Sequence, residues 1–273
     1  MTIAFCFLTY DVIVRYDIWN LFFKDIDVEK YRVFIHPKSN FLHEKYTFPY
    51  QIVKNRIITN RKDNINIVRA TLRLLKETYI YDNKITHFIF LSQSCIPLYN
   101  FDKLYSLIKL FPNSVISSID NNQKNRYMQL SDGIKKYINY NNFVKQQPNM
   151  ILIREDVEFL IKNDLTNEFQ YMICPDEHYF INVLNGVFRK LHQPATSPAD
   201  PHLGQALLGA AEIFKKKIIK RQTHFCNYDL QKTQGLEFYN IDKIMIDKIR
   251  NYGFLFMRKV NNMSVIQNDY LFI

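Results

Sequence analysis

Two acids stand behind a proline at Pro175-Asp176-Glu177. Proline at a first helical position followed by carboxylates is what a helix N-terminus favours for dipole reasons alone. A carboxylate fixed there can also take a proton from a substrate hydroxyl, the task of a general base. Near the other end, GFLFMRKV (253–260) carries the adjacent cations Arg258 and Lys259. Such a pair is either a solvated strand edge or a counter-charge for an anion. The apolar run HFIFL (87–91) ends in Ser92-Gln93-Ser94. Hydroxyl and amide groups are poor sole ligands for Mg²⁺ or Mn²⁺, so no metal is expected there. A literal Asp-x-Asp occurs at Asp25-Ile26-Asp27, between a helix-like stretch and the strand-like YRVFIH, where a solvated turn is the natural reading. If a metal were required, Asp25, Asp27 and Asp120 are the carboxylates to return to. His178 has no second His or Cys three or four positions away, so zinc is not expected.

Composition narrows the classes. The chain has 273 residues and a formal charge of +10, so phosphorylated or polyanionic partners are favoured. Only 6 residues are Gly, and neither GxGxxG nor GxxxxGK[ST] occurs. Phosphate recognition must then use side-chain cations or helix N-termini rather than a glycine nest. The Lys, Asn, Ile and Tyr richness also resembles the product of an AT-biased genome. Cys6, Cys95, Cys174 and Cys226 are widely spaced and sit in apolar or strand-like contexts. They are expected to be reduced core thiols. The apolar N-terminus is interrupted by Asp11, Arg15 and Asp17, which suits a strand and helix rather than a membrane span or signal peptide.

The elements that must position these residues follow from periodicity. Continuous apolar runs at 3–9, 31–36, 87–91 and 114–119 read as buried strands, with a further strand at 149–153. Helices are expected over 12–23, 64–79 (with Asp63 as N-cap), 101–110, 154–162, 175–184 and 241–250, and short late strands at 222–226 and 253–257. Strands alternating with helices predict one α/β domain over 1–273, with a mostly parallel twisted sheet flanked by helices. His192 to Glu212 holds three of the nine prolines and has an Ala/Gly-rich texture foreign to the rest, as an insertion or mobile loop would.

Five blocks, in order, resemble the core-2/I-branching family of sugar transferases, closest to its plant-type branch. They are WNLFFKDIDVEKYRVFIHPKS (19–39), TNRKDNINIVRATLRLLKE (59–77), FLSQSCIPLYNF (90–101), CPDEHYFINVL (174–184) and GFLFMRKV (253–260). The second carries the family's Val-x-Ala-x-Leu, here Val68, Ala70 and Leu72. The resemblance implies a GT-A-like fold and an inverting, metal-independent transfer from a UDP-sugar to a hydroxyl of a glycan acceptor. It implies Glu177 as the base and Lys259, with Arg258 beside it, as the cations that offset the diphosphate. Arg221 is a weaker second cation. Thr9, His36, Ser92 and Ser94, at strand ends, are the implied nucleotide contacts.

The family's Trp-rich acceptor segment is replaced here by Gln146-Gln147-Pro148-Asn149-Met150, so acceptor identity does not carry over. The implied partners are a UDP-sugar (N-acetylglucosamine, xylose or glucuronic acid) and a glycan, with no nucleic acid and no integral membrane segment. A cytoplasmic location is expected, with the Golgi lumen as the alternative. Two other classes compete. One is a basic nucleic-acid-binding module, which the charge and the 15% aromatic content permit but dispersed cations and the lack of a motif oppose. The other is an inactive family member that only binds sugar.

Overall fold

The computed structural model describes residues 1–39, 46–59, 65–119, 123–188, 218–226 and 237–266. Asp63, Asp120 and the segment 192–212 lie outside the described residues. In chain order the first half reads β1 (Thr2–Thr9), α1 (Tyr16–Phe23), β2 (Tyr31–Pro37), β3 (Gln51–Ile52), α2 (Ile65–Tyr81), β4 (Ile85–Ser92), β5 (Ile96–Pro97), α3 (Phe101–Lys109) and β6 (Val115–Ile119). After two single-turn helices, α4 (Lys124–Tyr127) and α5 (Asp132–Lys135), come β7 (Lys145–Ile153) and α6 (Arg154–Lys162). The chain then runs through α7 (Tyr179–Asn182), β8 (His224–Cys226), β9 (Phe238–Ile241), α8 (Lys243–Asn251), β10 (Phe256–Arg258) and β11 (Val260–Ile266).

The main sheet has six strands in the order β3-β2-β1-β4-β7-β6. Strands β3, β2, β1 and β4 pair in parallel, while β7 runs antiparallel to both β4 and β6. The expected mostly parallel α/β sheet is therefore present, with one reversed strand. Its apolar runs are continuous because both faces are covered. On β1, Ala4 and Cys6 enter one core while Ile3, Phe5 and Phe7 enter the other. Strand β4 divides the same way, Phe88 and Phe90 against Ile89 and Leu91. Helices α2 and α6 cover the first face through Val68, Leu72, Leu75, Val157 and Leu160. Helices α1 and α3 cover the second through Trp19, Phe22, Phe23, Phe101 and Leu104. A smaller core of Ile96, Leu98, Phe238, Ile246, Met257 and Val260 seats the C-terminal elements.

Polar bonds fix the edges. The Arg154 guanidinium donates to the carbonyls of Tyr79, Asp82 and Ile85, closing the α2–β4 turn onto α6. Asn100 and Asp242 cap α3 and α8. Helix α1 starts at Tyr16 rather than Val12, and the Val14 N–H ahead of it donates to the Gln93 carbonyl at 3.0 Å. Among the described residues, no helix is long and apolar enough to cross a membrane.

Trp19 is fully buried, and its ring meets Phe5 and Phe7 edge-on at 6.0 and 4.9 Å. Its indole N–H donates to the Cys95 carbonyl at 3.0 Å. Trp19→Ala should therefore cost about 3–5 kcal/mol of unfolding free energy in a urea titration. A loss below ~1 kcal/mol would show that this aromatic cluster does not hold α1 on the sheet.

Candidate active site

The carboxyl ends of β1, β2, β4 and β6 form one edge of the sheet, and β7, being reversed, begins there. Register pairs Lys145, the first residue of β7, with Ile119, the last of β6. The Glu177 segment is tied to this start by a two-sided bracket. Asn182 accepts from the Val144 N–H at 3.0 Å and donates to the Val144 carbonyl at 2.7 Å. The Gln146 side-chain carbonyl accepts the Ile181 N–H at 2.7 Å. The bracket brings Lys145 to 2.8 Å from the Glu177 carboxylate, with both side chains about one-third exposed.

The expected helix over 175–184 is broken into three. A 3-10 turn covers Pro175–Glu177, α7 covers Tyr179–Asn182, and a π-helical turn covers Val183–Phe188. The cause is local. Cys174 sits in the left-handed region at φ 55° and His178 leaves the helical region at φ −137°. His178 is held in that position from both sides. Its Nδ1 meets the Cys174 carbonyl at 3.0 Å and its Nε2 meets the Gln123 side-chain amide at 3.0 Å. Its ring stacks on Phe143 at 5.3 Å. Burial pushes its pKa down, and since the Gln123 group at Nε2 is the side-chain carbonyl oxygen, the single N–H of the neutral ring donates to one of these two oxygens. Burial, and then the charge of Glu177, raise Asp176 to about 6. Asp176 and Glu177 thus differ in environment, and the lysine is paired with Glu177.

At the end of β4, the turn through Ser92-Gln93-Ser94 is a junction. The Ser94 carbonyl accepts the Val260 N–H at 3.0 Å. This bond carries Arg258 and Lys259 to the carboxyl edge. Both cations are half-buried, and among the described residues neither has a carboxylate partner. The Arg258 Nε is buried without a hydrogen bond. Burial, followed by the charge of Arg258, pushes the fully buried His224 well below the usual histidine range, and burial outweighs Arg258 in raising Cys95.

The family model for the Core-2/I-Branching enzyme matches residues 3–252. The chain belongs to that family. Among core-2/I-branching relatives, Glycosyltransferase BC10 of Oryza sativa subsp. japonica is 24% identical over 248 residues. The match covers 86% of this chain and 59% of that relative, so the chain spans less than two-thirds of its length. Two solved structures are also similar. The galactosyltransferase LgtC in complex with donor and acceptor sugar analogs shares 14% identity at a TM-score of 0.36, covering 69% of this chain and 70% of that one. An LgtC active-site mutant shares 12% at 0.36, covering 74% and 81%.

In this core-2/I-branching chain the residues singled out from sequence fall into three groups. Glu177, Ser92, Ser94, Arg258, Lys259 and Thr9 lie along the carboxyl edge. The Thr9 hydroxyl is buried without a partner. His36 lies one residue before the end of β2 at the same edge, but its ring is fully buried and accepts the Ile57 N–H at 3.0 Å. It braces the loop after β3 rather than facing outward. Arg221 is elsewhere. β8 runs parallel to β10 with Cys226 level with Arg258, and Arg221 lies five residues back. At about 3.3 Å per strand residue this is on the order of 15 Å. Its guanidinium donates to the Gly253 carbonyl and lies over Phe111 at 5.8 Å. Gly253, at φ 81°, has no Cβ to obstruct it.

Asp25, at φ 58°, turns the chain after α1, and Asp27 caps the 3-10 turn before β2, at the opposite sheet edge. Among the described residues no three His, Cys, Asp or Glu side chains converge as a metal-binding group. The cysteines are free; Cys6 and Cys95 are core thiols, but Cys174 and Cys226 are half-buried, a correction to the sequence expectation. Lys145, Asn182 and Gln123 gave no sequence signal, because their roles arise from pairing between distant segments.

The Asp176 pKa gives a stability prediction. A carboxyl raised from 3.8 to about 6 favours folding below pH 3.8, and that contribution is lost as pH rises through 6. Asp176→Asn should therefore raise the melting temperature more at pH 7.5 than at pH 4. An equal shift at both pH values would place Asp176 in water.

Proposed function

We propose that this chain is an inverting glycosyltransferase with a GT-A-like domain. It moves a sugar from a UDP-sugar to a hydroxyl of a glycan acceptor without a metal ion. The observation that carries the reading is the half-buried pair Arg258 and Lys259, unpaired with acid among the described residues and held against the Ser92–Ser94 turn by the Ser94–Val260 bond. A half-buried cation pair without carboxylates is suited to an anion. Membership of the Core-2/I-Branching family and the relative Glycosyltransferase BC10 support sugar transfer.

The transfer is one in-line displacement. The acceptor oxygen bonds to the anomeric carbon as the bond from that carbon to the diphosphate oxygen breaks. The hydroxyl proton passes to the Glu177 carboxylate. The bonding pair leaves with UDP, whose new charge is met by Lys259 and Arg258. UDP departs as a stabilised anion, so no second carboxylic acid is needed. Lys145 directs the Glu177 carboxylate and acts as a positioning residue. Arg221 is not part of this machinery. Metal independence rests on the hydroxyls and amide of Ser92, Gln93 and Ser94 at the end of β4.

Two measurements test the reading. Glu177→Gln keeps volume and removes basicity. Donor affinity should stay within a few-fold of wild type while transfer falls by roughly 10²–10⁴. Wild-type transfer by Glu177→Gln, or death of Asp176→Asn instead, would overturn the base assignment. Lys259→Ala should lower kcat by roughly 10² and weaken UDP binding, in excess EDTA as in its absence. Activity that is lost in EDTA and restored by Mn²⁺ would refute metal independence.

A further inference from the structure

A second cationic site lies on the other side of Glu177 from Arg258 and Lys259. Past the end of β6, a cleft of about 540 Å³ is lined by Gln123, Lys124, Asn125 and Arg126. Among these described lining residues two are cations and none is an acid. Arg126 is half-buried, and among the described residues its guanidinium has no hydrogen-bond or ion-pair partner. The cleft is joined to the base. Gln123, on its wall, meets the Nε2 of His178, the residue after Glu177, at 3.0 Å. The charges of Lys145 and Arg126 both reach His178 and Cys174.

The order across the edge matters. Arg258 and Lys259 stand at the end of β4, Lys145 with Glu177 at the start of β7, and the cleft beyond the end of β6. Strand β7, whose first residue holds Glu177, lies between β4 and β6, so the two cation groups flank the Glu177 segment. An in-line displacement puts the acceptor on the side of the sugar away from UDP, which is the side of this cleft.

We propose that the cleft binds an anionic group on the acceptor glycan, a carboxylate, sulfate or phosphate, with Arg126 as its principal contact and Lys124 as its second. This deepens the glycosyltransferase reading and rests on Glu177 as the base. It makes acceptor charge the selector. A neutral glycan leaves the Arg126 guanidinium desolvated and unpaired, whereas an anion gives it a charge-assisted, bidentate partner.

The test is calorimetric, on the full chain saturated with UDP. The probes are a hyaluronan tetrasaccharide, a sulfated N-acetyllactosamine and a phosphorylated mannose, each against its neutral counterpart. At least one charged probe should bind about tenfold or more tightly than its counterpart, and which one does so names the anion. That preference should collapse in Arg126→Gln and shrink in the exposed variant Lys124→Gln, with UDP affinity and melting temperature unchanged. It should also fade as salt is raised. The proposal is overturned if no charged probe outbinds its neutral partner. It is equally overturned if Arg126→Gln loses UDP affinity, which would assign the cleft to the donor. Glu177→Gln separates the two readings. A variant that still prefers the charged probe yet transfers at wild-type rate removes the base and keeps the cleft.

Discussion

The active edge depends on the turn that ends β4. In Ser92 to Cys95, backbone and side-chain groups are claimed by distant parts of the chain. The Gln93 carbonyl takes the Val14 N–H, and its side chain takes the Tyr10 N–H at 2.6 Å. The Cys95 carbonyl takes the Trp19 indole, and the Ser94 carbonyl takes the Val260 N–H. The Trp19–Cys95 bond satisfies a buried indole N–H that would otherwise be unpaired at a cost. Together these bonds fix the exit of β1, the start of α1 and the C-terminal strands around one point. The sequence Ser-Gln-Ser thus works as a hub for backbone geometry, and the cations beside it arrive from more than 160 residues away in the chain.

The second half of the edge depends on β7. A sixth strand parallel to the rest would start at the far edge of the sheet. Reversal instead places its first residues among the carboxyl ends of its neighbours, next to the Glu177 segment. Asn182 then acts as a strand partner for Val144 without being in a strand. That bracket also explains why the segment 175–188 cannot be one regular helix. His178 must turn back to reach Gln123 and Cys174, and the helical ladder is given up at that residue.

The parts of this arrangement set by local pattern were legible in the sequence. The buried strands read as apolar runs, α6 matches its expected span from 154 to 162, and the turn character of Asp25–Asp27 holds. The parts set by long-range pairing were not. Lys145 looked like one of many lysines in a basic chain, and only the β6–β7 register gives it a partner. Arg221 was the weaker second cation that the family resemblance offered for the diphosphate. The parallel register of β8 and β10 instead puts it at the other end of those strands. His36 sits at the expected edge, but its ring is fully buried and its Nε2 accepts the Ile57 N–H.

Trp19 is the only tryptophan, and its indole hydrogen bond ends on the carbonyl of Cys95, one residue past Ser94. The chain therefore carries a single indole fluorophore wired to the junction beside the cations. Excited at its own wavelength, it emits from an aromatic cage, and its emission energy responds to that cage and to the hydrogen bond to the Cys95 carbonyl. No label and no engineered probe is needed to watch this turn in solution. Any rearrangement of residues 92–95 is written into the colour of the protein's own light.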